Sequence, residues 1–364
     1  MTIFSDLFEF QNKSRIKAGE GLEIGKYPFY TSSSEQSKFL NDFCYEGDSL
    51  IFGTGGTASI HFNSAKFSVS TDCLVARPII SKKILAQYYY HFLKSNIHIL
   101  EKGFKGAGLK HISKTYISQI NLPDTDYQEQ KQVVEILNHS EVLRQKRNQS
   151  LQLLDEFLRA TFLEMFGDPI RNTNKYKKKR ISDLGEVITG NTPSRAVQEY
   201  YGDFIEWIKS DNINTPSYIL TKAKECLSKK GAQIGRIAPK GSILVTCIAG
   251  SPGCIGNVAM ADRDVAFNQQ INAFVPGNEI LQEFFFAQIL FCKKLIQQVN
   301  TNGMKGLVSK GNFSEINIIV PDKGLQELFV KIFNQTQIIS NKMQESLIET
   351  FNQCNSLKKR FFNN

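Results

Sequence analysis

The sequence predicts an α+β protein built as an internal repeat. It consists of two mixed α/β modules separated by two long helices that pair antiparallel as a coiled coil, with a pseudo-two-fold relation between the copies. Three observations predict it. Short matches recur in one order along the chain, strand-like runs alternate with helical periods in both halves, and each half ends in a helical stretch longer than a small domain needs.

Ser5-Asp6-Leu7-Phe8-Glu9 recurs as Ser182-Asp183-Leu184-Gly185-Glu186, a shift of 182 − 5 = 177. Gly103-Phe104-Lys105-Gly106 recurs as Gly303-Met304-Lys305-Gly306, a shift of 303 − 103 = 200. Ser113-Lys114 with Ser118-Gln119-Ile120-Asn121 recurs as Ser309-Lys310 with Ser314-Glu315-Ile316-Asn317, a shift of 309 − 113 = 196. The same 196 pairs Val134, Ile136, Leu137 and Asn138 with Val330, Ile332, Phe333 and Asn334. The drift makes the first module the shorter one, with the loss between its start and its glycine loop.

The strand-like runs are Asp48 to Phe52, Phe67 to Ser70, Ser242 to Thr246 and Asn317 to Val320, each bounded by Gly, Asn or Pro. A helical period covers Leu85 to Leu100 and again Ile280 to Val299. From Gln128 to Phe166 neither Pro nor Gly occurs, and Gly167-Asp168-Pro169 stops the helix. At 1.5 Å per residue that stretch is a rod of about 58 Å. Ile136, Leu143, Leu154 and Phe157 form its heptad-like seam, interrupted by Ser140, Arg147 and Ser150. Leu325, Phe329, Ile332, Thr336, Ile339 and Met343, then Leu347, Phe351, Cys354 and Phe361, form the seam of the second rod. The expected domains are residues 1–125, a first spacer helix over 126–168, a second module over 169–322 and a second spacer helix over 323–364.

Composition narrows the class. Lys+Arg exceed Asp+Glu by 44 to 35, a net charge of +9 that favours a polyanionic partner. No apolar run reaches the length of a membrane span and no leader is visible, so the expected setting is the cytoplasm. The seven cysteines are scattered without a Cys-x-x-Cys pair, which predicts buried reduced thiols and no zinc site. The stretch Gly103 to Lys110 fails as a phosphate loop, because no Ser or Thr follows its lysine. No Gly-rich cofactor turn and no Asp/Asn-Pro-Pro-aromatic tetrapeptide occurs. The five histidines lack metal-ligand spacing, although His91 and His98 stand seven apart on the expected first-module helix.

The order of several motifs carries a family resemblance. Phe162-Leu163-Glu164-Met165-Phe166-Gly167-Asp168-Pro169 is followed by Ile181-Ser182-Asp183-Leu184-Gly185, Thr189-Gly190-Asn191-Thr192-Pro193-Ser194 and Ile205-Glu206-Trp207-Ile208-Lys209-Ser210-Asp211. Tyr27-Pro28-Phe29-Tyr30-Thr31-Ser32-Ser33 is the first module's counterpart at a shift near 178. Over its whole length the chain resembles the specificity subunit of type I restriction-modification systems.

The resemblance implies two target-recognition domains, each reading a short half-site of a split double-stranded DNA target. It implies long helices that set the unread gap and dock two methyltransferase subunits, with restriction subunits in a larger complex. Such a chain is non-catalytic and holds no cofactor, S-adenosylmethionine and ATP belonging to the partners. Readout needs amides, hydroxyls and cations on loops. The second module offers Asn191, Thr192, Ser194, Arg195, Lys209, Ser210, Asp211, Asn268, Gln269 and Gln270. The first offers Tyr30, Thr31, Ser32, Ser33, Gly55 and Gly56. Lys105 and Lys305 in the paired glycine loops, and the basic run Lys175 to Arg180, are the expected phosphate contacts. The alternatives are a stand-alone DNA-modifying enzyme and a coiled-coil scaffold that binds protein.

Overall fold

The computed structural model describes residues 2–215, 217–299 and 306–362. The chain divides into two compact units, residues 1–149 with 344–364 and residues 150–343, so each long helix contributes to both.

In the first unit an antiparallel sheet runs in the order Phe8–Phe10, Cys73–Pro78, Ser49–Gly53, Ser59–Asn63. A smaller sheet runs Lys38–Leu40, Tyr27–Tyr30, Lys66–Val69, Tyr45–Glu46, and its central pair is parallel. The strand Ser49–Gly53 is buried along its length because both its faces are covered. Leu50 and Phe52 join the core formed with Ala86, Tyr89 and Leu93 of the helix Ala86–Ser95. Ile51, on the opposite face, joins Tyr30, Phe67 and Val69 of the smaller sheet. The two-residue period of a strand thus makes one strand the middle of three layers.

The second unit repeats this order strand for strand: Gly185–Thr189, Ile271–Pro276, Ile243–Thr246, Val258–Met260. Its smaller sheet runs Tyr201–Gly202, Cys226–Leu227, Ile205–Ile208, Val265–Phe267, Ile237–Ala238, and again one pair within it is parallel. Ile243 and Val245 face the core of Phe284 and Phe285 in the helix Gln282–Phe291, while Leu244 faces Ile208 and Phe267. Matching the parallel pairs places Tyr30 on Ile208, a shift of 178, and Phe67 on Val265, a shift of 198. Tyr45 pairs with Phe67 and Ala238 with Val265, so that strand carries a shift of 238 − 45 = 193. Most of the length difference therefore falls between Tyr30 and Tyr45, where the second unit has residues 209–237.

Both shorter helices are broken where a continuous helix was expected. The first ends at Ser95 and a four-residue helix resumes at His98. Asn96 is the reason: its backbone leaves the helical region and its side chain donates to the Phe92 carbonyl at 3.1 Å. His91 and His98 therefore do not share one helix face. His91 is half-buried and pushed down to about 4 by burial and by Lys358 and Lys94, whereas His98 is exposed. The second-unit pattern likewise splits into Gln282–Phe291 and Lys294–Gln297.

The long helices span Tyr127–Phe166 and Lys323–Phe362, 40 residues each at a shift of 196. Gly167, at φ +69°, ends the first, its N–H donating to the Leu163 carbonyl at 2.8 Å. The expected seam of the first helix is corrected. Ile136, Leu143 and Phe157 are exposed, and the partly covered stripe is Ser140, Arg147, Ser150 and Leu154. In the first unit Arg147 donates to the Ser346 carbonyl at 3.1 Å and to the Thr350 hydroxyl, which explains why a cation stands in the seam. Val133, Val134 and Leu137 share a core with Phe362, so within this unit the two helix segments run antiparallel. In the second unit the rings of Phe162 and Phe166 pack on Phe284 and Phe329, mostly edge to face, with centroids 4.9 to 5.8 Å apart. On the second helix Phe329, Ile332, Thr336, Met343, Leu347 and Cys354 are covered as expected, but Leu325, Ile339 and Phe351 are exposed.

Each helix start is locked by a buried glutamine. Gln130 accepts from the Leu85 N–H at 2.9 Å and donates to the Thr125 carbonyl at 2.8 Å. Gln326, 196 residues on, accepts from the Leu281 N–H at 2.9 Å and donates to the Pro321 carbonyl at 2.9 Å. Leu85 and Leu281 are the N-cap residues of the short helices, so one amide satisfies an otherwise orphaned N–H and ties helix to helix. Three cysteines, Cys73, Cys247 and Cys292, are buried; Cys44 is exposed and the others lie between, which corrects the expectation of uniform burial.

Candidate nucleic-acid interface

In each unit the two parallel strands release the chain at the same end of the smaller sheet, and that geometry gathers the loops. In the first unit Ser70, following one strand, donates its N–H to the carbonyl of Tyr30, at the end of the other, at 2.8 Å. Ser32 Oγ donates to the Asp72 carbonyl at 2.7 Å and accepts from the Gly55 N–H at 3.3 Å. Thr54 Oγ1 reaches the same Asp72 carbonyl at 2.9 Å. A Cβ on Gly53 would stand 2.9 Å from the Ser32 Cα, so only glycine lets the two loops come together.

The glycine loop closes this face. Lys105 and His111 exchange backbone hydrogen bonds at 2.9 and 3.0 Å, and His111 Nδ1 lies 3.1 Å from the Thr54 carbonyl. Thr31, Ser32, Ser33, Gly55, Gly56 and Lys105 are thereby brought to one surface, with Ser33, Gly56, Lys105, Lys110 and His111 exposed. Tyr30 is the exception. It is 7% exposed, its hydroxyl accepts from Asn63 at 3.0 Å, and its ring packs on Phe67. Its place is beneath the loop, because it is the last residue of a strand whose side faces the core.

The second unit builds the same face from longer loops. The Asn268 N–H donates to the Ile208 carbonyl at 3.0 Å, as Ser70 does to Tyr30. Ser210 Oγ donates to Gln270 Oε1 at 3.3 Å, and Thr192 Oγ1 donates to Gln269 Oε1. Ser194, Asp211 and Gln269 are exposed. Asn191, Lys209 to Asp211 and Asn268 to Gln270, remote in sequence, thus share one hydrogen-bonded network. Tyr30 to Ser33 correspond within it to Ile208 to Asp211.

Two of the asparagines are frame rather than surface. Asn268 is 7% exposed, its carboxamide oxygen accepting from the Gln270 N–H at 3.1 Å. Asn191 donates to the Ile234 carbonyl at 3.0 Å and accepts from the Arg236 N–H at 2.8 Å, so both ends of its amide are engaged. Lys305 lies outside the described residues.

Several cations here are paired. Arg195 donates to Glu225 at 2.8 Å and Lys209 to the same carboxylate at 2.5 Å. Lys209, with Arg195 beside it, holds the Glu225 carboxyl below the usual carboxylate range. In the basic run Lys179 pairs with Glu279, and Arg180 with Asp183 and Glu315, so two of its five charges are already committed.

Glu206 and Arg263 form a half-buried bidentate pair at 2.7 and 2.8 Å. Glu206 also accepts from the Ala223 N–H at 2.6 Å and Arg263 donates to the Thr221 carbonyl at 3.2 Å, which pins the loop that the first unit lacks. Glu225 and Arg263 went unnoticed in the sequence, and Glu206 was read only as part of a motif, because their partners are 16 to 57 residues away. Gln130 and Gln326 were findable, since they obey the 196 shift. Among the described residues no group of three or more His, Cys, Asp or Glu could hold a metal ion, and no helix is long and apolar enough to cross a membrane.

The chain is similar to specificity subunits of type I restriction enzymes. The sequence model of the type I restriction modification DNA specificity domain matches residues 4–153 and again 173–350. The type I restriction enzyme HindI specificity subunit of Haemophilus influenzae is 33% identical over 178 residues, 46% of this chain and 37% of that protein. The MjaIX specificity subunit of Methanocaldococcus jannaschii is 33% identical over 111 residues, 30% of this chain and 25% of that protein. The matched stretches thus span well under half the length of these relatives. The solved S subunit of the type I restriction-modification system from M. genitalium superposes with a TM-score of 0.68 at 14% identity, covering 99% of this chain and 95% of that one, which makes the fold the same.

Proposed function

This chain belongs to the type I restriction modification DNA specificity family, and from that premise we propose that it reads a split DNA target, one half-site per unit, as the non-catalytic subunit of a modification complex. The observation that carries this reading is the repeated loop face. The same parallel strand pair, in the same register, presents Thr31 to Ser33 in one unit and Lys209 to Asp211 in the other. One scaffold with different side chains is what reading two different half-sites requires.

On this reading the modules are residues 1–125 and 169–322, and the helical residues 126–168 and 323–364 are spacers that fix the unread gap. Two methyltransferase subunits, and restriction subunits in a larger complex, supply the adenine methylation and cleavage with S-adenosylmethionine and ATP. Ser33, Gly56, Lys105, Ser194, Arg195, Lys209, Asp211 and Gln269 are the proposed DNA-facing residues, with Tyr30, Asn191 and Asn268 positioning them.

The test is methylome sequencing of cells carrying this chain with and without a cognate methyltransferase subunit. The expected outcome is a split adenine-methylation motif that appears only when both are present. Methylation by this chain alone would instead make it an enzyme.

A further inference from the structure

Arg195 and Lys209 share one carboxylate, that of Glu225, at 2.8 and 2.5 Å. They also share a wall. The Arg195 guanidinium lies 4.6 Å from the Tyr201 ring centre and 4.9 Å from that of Trp207, and the Lys209 ammonium 5.0 Å from Trp207. Trp207 is 3% exposed and its indole N–H donates to the Asn191 carbonyl at 3.3 Å, so the wall is held from behind. Glu225 is placed by the sheet itself, its carbonyl accepting from the Trp207 N–H at 3.0 Å. The charged ends remain at the surface, with 54%, 32% and 38% of the Arg195, Lys209 and Glu225 side chains exposed.

The first unit differs at the positions of Lys209 and Glu225. A shift of 209 − 31 = 178 puts Thr31 where the second unit has Lys209. Phe29 pairs with Lys38 as Trp207 pairs with Glu225, so a lysine stands where the second unit has the carboxylate. The scaffold position does not demand an acid.

We propose that Glu225 is an internal stand-in for DNA phosphate: it occupies the anion position of Arg195 and Lys209 and must be displaced before either cation can contact the backbone. The inference rests on the DNA-reading function proposed above. Phosphate contacts carry most of the sequence-independent affinity, and a carboxylate and a phosphate offer a guanidinium the same paired oxygens. A cation already satisfied gains little from DNA of arbitrary sequence, and the freed carboxylate repels the strand that displaced it. Only a duplex that also makes base contacts repays the exchange. Glu225 therefore raises discrimination by weakening binding to the wrong sequence.

The test uses the full chain with its methyltransferase partner, a random-sequence duplex, a duplex carrying the motif found by methylome sequencing, and a salt series. Glu225→Gln is expected to tighten the random duplex and to steepen its log affinity against log salt by about 0.9 for each cation released, an additional loss of roughly 3- to 12-fold between about 50 and 200 mM salt. The motif duplex is expected to gain less, so the ratio between the two falls. Glu225→Lys, which installs the first unit's residue, is expected to act in the same direction and further. In an Arg195→Gln, Lys209→Gln background Glu225→Gln releases no cation and is expected to leave the salt slope unchanged.

An unchanged salt slope, or weaker binding to both duplexes, would overturn the proposal and make Glu225 a clamp that only orients the cations. An unchanged far-ultraviolet circular dichroism spectrum and thermal midpoint in the variants control for folding. If the wild-type complex binds neither duplex, the DNA-reading function itself fails. Binding by the wild type with no response to Glu225→Gln removes only the competition.

Discussion

Glu206, on the strand Ile205–Ile208, and Arg263, in the turn before the strand Val265–Phe267, share two charge-assisted hydrogen bonds, and the loop over Thr221 to Ala223 hangs on the pair. Arg263 holds the Glu206 carboxyl below the usual carboxylate range, against the opposing effect of burial. A carboxyl whose pKa is depressed by folding contributes stability above its unfolded pKa and loses it as pH falls through its folded value. The second unit should therefore weaken below about pH 4.3, the ordinary glutamate value. Glu206→Gln is expected to cost about 2 kcal/mol at neutral pH and to flatten that acid limb. Urea unfolding followed through Trp207 at several pH values measures both; an acid limb as steep as that of wild type would show that the pair does not govern it.

The most deeply buried side chains of the first long helix lie toward its two ends. Phe162 is fully buried among Phe166, Phe284, Phe291 and Phe329, whereas Leu143 and Phe157 farther up the same helix are half-exposed. Truncating a buried phenylalanine removes its transfer energy and leaves a cavity that a well-packed cluster cannot collapse. Phe162→Ala is accordingly expected to destabilise by about 3 to 5 kcal/mol, while Phe157→Ala should cost under about 1 kcal/mol. Thermal unfolding of both variants checks it, and equal shifts in midpoint would mean that the seam expected from the heptad spacing does bear load.

Across the whole molecule the repeat is a division of labour. The strand order, the short helices, the capping serines Ser113 and Ser309 and the buried glutamines coincide between units, while the loops at the parallel-strand ends differ in length and chemistry. Exchange of residues 170–320 for those of another family member is expected to change one half-site of the methylation motif and leave the other intact. Methylome sequencing of the chimera decides it; alteration of both half-sites would mean that the two units do not read independently.

What the sequence determined by itself was the duplication. Shifts of 177 and 196 read from short matches reappear as matched strands and helices, because local hydrophobic period, capping and turn residues are properties of neighbours in the chain. The central strands were legible as unbroken apolar runs for the same reason. Three things were decided only by tertiary structure. Leu143 and Phe157 have seam spacing yet face outward, since which stripe of a helix is covered depends on what lies beside it. Tyr30 and Asn268 are polar and near a loop yet buried, since burial is set by the sheet behind them. Glu225 joined the candidate surface through an ion pair with Lys209, 16 residues away, and no periodicity in the sequence encodes that contact.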